Sequence, residues 1–301
     1  MKKVIVIVGP TAVGKSDFAI ELAKKINGEI ISGDSIQVYQ GLDIGSGKVT
    51  QEEMDGVPHH LIDIYTTKQS YTVADFQSKA RELIDQSEKP MIICGGTGLY
   101  IKACLYDYQF SDESGAGIDI DLENYTNEEL YQQLLELDPK QSEKIHPNNR
   151  QRLLRSLTIA RRSPKVQSEM IADQQHRMLY DARIIGCTMP RDQLYARINE
   201  RVEKMFEAGL QKEIEKLLQQ GVSFQDACMK GIGYREWEGF YEGKKSLEEV
   251  KEEIQKHSRQ FAKRQYTWFN HQMDVEWFEN NNSLERKAML ENLVHWYQNQ
   301  E

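Results

Sequence analysis

Through the first 105 residues, short β-branched apolar runs alternate with longer stretches whose apolar positions recur every three or four residues. "KVIVIVG", "GEIISGD", "HHLIDIY" and "PMIICGG" predict buried strands, and "KSDFAIELAKKIN" and "TVADFQSKARELIDQSE" predict the helices between them. That alternation predicts an α/β fold, a parallel sheet with helices on both faces. From Ser111 to Asp181 the pattern changes. "SDESGAGIDIDLEN" is acidic and Gly-rich and predicts a connecting loop. "TNEELYQQLLELDPKQSEKIHPNNRQRLLRSLTIARR" predicts helices broken at Asp138-Pro139 and His146-Pro147. "RIIGCTM" at 183–189 predicts one more core strand, so residues 111–181 form a helical insertion in a core made of 1–110 and 182–301. Long amphipathic helices follow, starting with "RDQLYARINERVEKMFEAG", which Gly209 is placed to end.

Composition narrows the class. Of 301 residues, 28% are charged and 39% hydrophobic, which fits a soluble globular enzyme and excludes a disordered chain. A net charge of −9 argues against a general polyanion binder, so any nucleic-acid contact needs a local basic patch. Cys94, Cys104, Cys187 and Cys228 are scattered without C-x-x-C spacing, which fits neither a zinc site nor a disulfide framework and suits a reducing cytosol. The apolar run Val4 to Val8 is too short for a secretory signal, and no stretch approaches the roughly 18 apolar residues of a membrane span. A cytoplasmic protein with no membrane partner is expected.

Between the first strand and the first helix, Gly9, Gly14, Lys15 and Ser16 satisfy G-x-x-x-x-G-K-[ST] in "GPTAVGKS". Glycines let backbone N–H groups curl around an anion, the helix N-terminus adds positive potential, Lys15 reaches phosphate oxygens and Ser16 can ligate Mg²⁺. The strand-then-helix context is the one this motif requires. "SGDSIQVYQGLDIGSGK" begins at the end of the second strand, where ligand crevices lie. Its Asp34 has three readings: a Mg²⁺ ligand, a general base, or the cap of a turn. "CGGTGLYIKA" follows the "PMII" strand, and its glycines with Thr97 read either as a third wall of the crevice or as a tight turn. Arg152 and Arg155, with Arg161 and Arg162 behind them, make a basic stripe. "KHSRQFAKRQYTWFNH" interleaves Arg259, Lys263 and Arg264 with Phe261, Tyr266, Trp268 and Phe269. Cations for phosphate and aromatics for stacking suit a looped RNA, although helical spacing assigns some of these rings to the core. "KGIGYREW" adds a loop carrying Tyr234 and Arg235.

Taken in order, "GPTAVGKS", "DSIQVY", "LDIGSGK", "PHHLID", "ADF", "GGTGLY", "IHPNNRQRLLRSL", "IGYRE" and "AKRQYTWF" closely resemble the tRNA dimethylallyltransferase family, over nearly the whole chain. The resemblance implies a P-loop NTPase-like parallel sheet flanked by helices, with an all-helical insertion domain. It implies transfer of a dimethylallyl group from its diphosphate to the exocyclic amine of the adenosine 3′-adjacent to the anticodon, without ATP hydrolysis. Gly9, Pro10, Thr11, Ala12, Val13, Gly14, Lys15 and Ser16 then hold the leaving diphosphate, with Mg²⁺ on Ser16 and a further cation from Arg201. Asp34 becomes the general base and Thr97 a positioning group. Contacts to the tRNA anticodon stem-loop fall on Asp34, Ser35, Ile36 and Gln37, on Thr97, on Gln151, Arg152 and Arg155, on Lys230, Tyr234 and Arg235, and on Lys263, Arg264 and Trp268. A monomer is expected. The chain departs from the family pattern at Asn149, Ser156 and Thr158, all inside the insertion. Three rivals remain. An RNA-binding protein with a dead P-loop is opposed by the complete Gly14-Lys15-Ser16 and Asp34. A small-molecule kinase shares the P-loop but has no job for "DSIQVY" and "GGTGLY", and would need a Walker-B carboxylate, for which Asp63 is available. A nucleotide prenyltransferase shares the crevice motifs but would have no use for the basic segments.

Overall fold

Val4–Val8, the centre of the first apolar run, are wholly buried in strand β1 (Lys3–Val8), as a strand covered on both faces must be. Each such side chain contributes about 1.5–3 kcal/mol of burial. In the computed structural model, which describes residues 1–110, 119–174 and 176–299, β1 leads into α1 (Lys15–Ile26) and β2 (Glu29–Ser32). Then come a short α2 (Gln51–Met54), β3 (His59–His60), α3 (Val73–Gln86), β4 (Met91–Cys94) and α4 (Gly98–Leu105). The chain next forms α5 (Asn127–Leu137), α6 (Pro139–Ser142), α7 (Arg150–Arg162) and α8 (Gln167–Ala172). It returns through β5 (Asp181–Thr188), α9 (Arg191–Glu207), α10 (Leu210–Gln219), α11 (Glu238–Tyr241) and α12 (Leu247–Gln272), and ends with β6 (Glu276–Glu279) and α13 (Ser283–Gln298).

The chain divides into two compact units. One joins Met1–Leu105 to Leu179–Glu301, and the other is Tyr106–Met178. In the first, six parallel strands lie in the order β3-β2-β4-β1-β5-β6, flanked by helices. β1's crossover runs to β2, while that of the neighbouring β4 runs the other way to β5, so the direction reverses between β1 and β4. This is the switch point at whose carboxyl-side crevice ligands bind in open α/β sheets. The core under it gathers Ile5, Ile7, Phe18, Leu22, Ile92, Ile185, Ile198 and Phe278 from strands and helices alike.

Two strands differ from expectation. "HHLIDIY" joins the sheet only at His59 and His60, because Leu61 and Asp63 take left-handed backbone conformations (φ 61° and 56°) that end the ladder, and its Tyr65 makes a separate parallel bridge to Tyr39. β6 was not foreseen: its "EWFE" buries Phe278 alone, which leaves too short a pattern to register. The second unit has its own core of Leu122, Leu130, Leu134, Ile145, Leu153, Leu154 and Leu157. Asp138, 2% exposed, ends α5 and caps α6, accepting from Gln141 N at 3.1 Å and Ser168 N at 2.9 Å. Eight of the fourteen residues of the expected acidic loop, 111–118, lie outside the described residues. No helix among those described is long and apolar enough to cross a membrane.

Candidate active site

The loop 9–16 leaves β1 and enters α1 through Gly14, whose φ of 87° a side chain would strain. Lys15 curls over it, Nζ donating to the Pro10 carbonyl at 2.7 Å. Burial pulls the Lys15 ammonium below its ordinary pKa and Arg201 adds to that, while Asp34 opposes it. The thiols of Cys94 and Cys187 are pushed up by burial, to about 11 for Cys94 and about 12 for Cys187, so they stay protonated. Ser16 is exposed at the start of α1. From the turn after β6, Asn280 Nδ2 donates to the carbonyls of Val13 (2.9 Å) and Gly14 (3.1 Å), bracing the far side of the loop.

The turns after β2 and β4 are tied to this loop and to each other. Gly33 N donates to Cys94 O (2.8 Å), Gly95 N to Ile7 O (3.1 Å) and Thr97 N to Gly33 O (3.3 Å). Asp34 Oδ1 accepts from Ile36 N (2.8 Å) and Gln37 N (3.3 Å), which aims the carboxyl group and leaves Oδ2 without a partner among the described residues. Capping and a chemical role are therefore compatible. Gln265 of α12, 5% exposed, spans two turns: Oε1 accepts from Thr11 N at 2.9 Å and Nε2 donates to Gly96 O at 3.0 Å.

Arg201 of α9 bridges the phosphate loop to the "DIGSGK" turn. Its Nη1 donates to Thr11 Oγ1 (3.1 Å) and its Nη2 to Gly47 O (3.2 Å). Gly47 sits at φ 58°, which strains a side chain, and a Cβ there would lie 1.6 Å from that guanidinium and push it aside. Desolvation lowers the Arg201 pKa, countered by Asp34 and Glu53. Two cavities meet at this arginine. One, about 490 Å³, is lined by Thr11, Asp34, Ser35, Ile36, Thr97, Lys230, Arg235 and Arg264, with Tyr39, Tyr71 and Tyr100 as an aromatic wall. The other, about 650 Å³, is lined by Gly14, Lys15, Ser16, Lys48, Arg197 and Lys204. Ala12, Arg201 and Met205 line both.

The other expected contacts divide. Lys230, Arg235, Lys263 and Arg264 are exposed, and Trp268 lies half-buried against Gly98. Ile36 packs on Gly231, and Gln37 bonds Ser32 Oγ and the Gly47 carbonyl. Tyr234 is fully buried, its hydroxyl donating to Glu213 at 2.8 Å and accepting from Ser46 N at 3.0 Å. It holds a turn and presents no surface, contrary to its reading as a contact. Asp63 forms an ion pair with Lys48 and lines neither cavity. In the second unit, Gln151, Arg152 and Arg155 are exposed on α7, while Arg161 and Arg162 pair with Asp119. Glu213 and Asn280 carried no motif signal, and Gln265 was passed over inside "AKRQYTWF", since each acts through backbone groups distant in sequence.

Residues 37–272 match the family model described as IPP transferase. The chain is 45% identical over 299 residues to the tRNA dimethylallyltransferase of Anoxybacillus flavithermus, covering 98% of this chain and 96% of that one. It is 45% identical over 288 residues to the enzyme of the same name from Bacillus anthracis, covering 92% and 91%. Among solved structures it resembles a tRNA delta(2)-isopentenylpyrophosphate transferase from Staphylococcus epidermidis, with TM-score 0.72, 42% identity and 98% and 99% coverage. It also resembles a eukaryotic dimethylallyltransferase acting on tRNA, with TM-score 0.83, 28% identity and 99% and 81% coverage.

Proposed function

The chain belongs to the IPP transferase family, and from that premise we propose that it transfers the dimethylallyl group of dimethylallyl diphosphate to an adenosine of tRNA. The acceptor is the exocyclic amine of the adenosine 3′-adjacent to the anticodon. The observation carrying this reading is the meeting of two cavities at Arg201, one holding Lys15 and Ser16, the other Asp34 and Thr97. The amine attacks the allylic carbon as that carbon's bond to diphosphate oxygen breaks, and diphosphate leaves with the electron pair. The adenine amine is a poor nucleophile because its lone pair is delocalised, so Asp34 accepts its proton as the C–N bond forms. Backbone N–H groups of 9–16, Lys15 and Arg201 face the negative charge that grows on the leaving oxygens. Thr97 orients the acceptor.

Mg²⁺ fits beside Ser16. Ser16 lines the cavity with Lys15, and Mg²⁺ favours one or two protein oxygens with substrate phosphates and waters. Bound there, it would neutralise charge on the diphosphate. On the acceptor side, the base must leave its stack to reach Asp34. The exposed cations Lys230, Arg235, Lys263 and Arg264, and Arg152 and Arg155 of the helical insertion, suit the phosphates of an anticodon stem-loop.

The test is incubation of labelled dimethylallyl diphosphate with an anticodon stem-loop, with Mg²⁺ and without ATP. Label is expected in RNA. Label in AMP instead would make the acceptor a free nucleotide, and ATP consumption without transfer would restore the kinase reading.

A further inference from the structure

Glu213 lies on α10, a helix whose buried residues Leu210, Ile214 and Leu217 are apolar. Its carboxylate points into three backbone N–H groups: Oε2 accepts from Asp43 N (3.0 Å) and Ile44 N (2.7 Å), and Oε1 from Gly45 N (3.1 Å). Consecutive amides converging in this way form an anion-binding nest, which the chain here fills with its own carboxylate. Tyr234 adds a fourth donor to Oε1 and accepts from Ser46 N. Burial first, then the Glu213 charge, raises the Tyr234 pKa well above its ordinary value, so the phenol remains a donor.

The turn thus locked ends at Gly47, whose carbonyl holds Arg201 Nη2, while Nη1 of the same guanidinium holds Thr11 in the phosphate loop. Asp43, Ile44 and Gly47 line the cavity of Lys15 and Ser16, and Gly45 and Ser46 line that of Asp34. Glu213 lines neither.

We propose that Glu213, with Tyr234, is a positioning residue for the prenyl donor: it fixes the 43–47 turn and through it the guanidinium that meets the diphosphate. This rests on the diphosphate reading of the phosphate loop. Charge-assisted hydrogen bonds are the stronger kind, and several converge on this one carboxylate.

Glu213→Ala is expected to raise the KM for dimethylallyl diphosphate by about tenfold or more, leaving the KM for tRNA unchanged. Glu213→Gln, which keeps one acceptor oxygen but turns an NH₂ toward Gly45 N–H, should fall between it and the parent. Tyr234→Phe, a milder change that keeps the core filled, should raise the donor KM less and act non-additively with Glu213→Gln. Calorimetric binding of inorganic diphosphate with Mg²⁺ to the same proteins separates the two levels of the argument. If the parent binds diphosphate without transferring label, the acceptor reading falls, while the role of Glu213 stands provided Glu213→Ala weakens that binding. If the parent does not bind diphosphate, both fall. An unchanged donor KM in folded variants, or equal rises for donor and tRNA, would overturn the proposal.

Discussion

Arg201 in the crevice is tied to Thr11 and Gly47 and partly desolvated, whereas Arg155 on the helical insertion stands exposed with no ion pair among the described residues. The side chain is the same and the physics differs. A buried, pre-oriented guanidinium stabilises charge that develops at one place and needs no reorganisation when it appears. An exposed one keeps its rotamer freedom and its water, and attracts phosphate by releasing counterions, with little demand on geometry. Chemistry and recognition should therefore separate kinetically. Damage in the crevice should lower turnover or donor affinity, and damage on α7 should affect tRNA affinity alone.

The largest effect is expected at Asp34. Asp34→Asn keeps an oxygen for Ile36 N and Gln37 N, so the turn survives while the proposed base is lost. Turnover should fall by about 10²–10⁴ with tRNA affinity held, as single-turnover kinetics would read. A fully active variant would move the proton acceptor elsewhere and dissolve the contrast with α7.

Gln265→Met comes next. It fills the same space but cuts both bonds between the phosphate loop and the Thr97 turn. A loss of about 1–3 kcal/mol in stability is expected by denaturant unfolding. Loosened geometry should add about a tenfold fall in turnover. Loss of stability with turnover intact would reduce Gln265 to a packing residue.

Gln265 also shows where sequence reasoning stops. Its partners Thr11 and Gly96 lie 254 and 169 residues away, and a glutamine on a long helix reads as a solvated face. The strand-to-helix loop 9–16 was legible because its eight residues carry the turn locally: the glycines, the lysine and the helix start. The alternating strands were legible for the same reason. Tyr234 misled because flanking glycines and a neighbouring arginine mimic an exposed loop, and only the fold brings Glu213 against its hydroxyl. Cations on α7 and α12 could be picked out by type, but burial decides which rings remain at the surface. Phe269 is fully buried, while Trp268 is not.

Lys15 sharpens the comparison by pH. Its pKa is lowered chiefly by burial, so the free enzyme should lose this charge below the ordinary lysine value of 10.5. The kcat/KM for the donor should fall on that alkaline limb. The linkage has the opposite sign for folding. A buried ammonium costs stability while it is charged, so this group's contribution improves as pH rises through the lowered pKa. Activity should therefore fall there without a matching drop in the thermal midpoint. A joint decline would assign the limb to unfolding.

The smallest effect is expected from Arg155→Ala. The residue is exposed on α7, and its loss breaks no ion pair among the described residues, so stability should barely change. The tRNA KM should rise while turnover and the donor KM stay fixed, the reverse of the crevice variants. If Arg155 neutralises one phosphate, the slope of log affinity against log salt should shrink by about one. That slope is the sharper readout, because a lost packing contact would weaken binding without altering it. An unchanged tRNA KM and slope would take this face of α7 out of the RNA interface and leave recognition to Lys230, Arg235 and Arg264 in the crevice and Lys263 on α12. Chemistry and recognition would then occupy one site, and Arg201 and Arg155 would no longer mark two uses of a guanidinium.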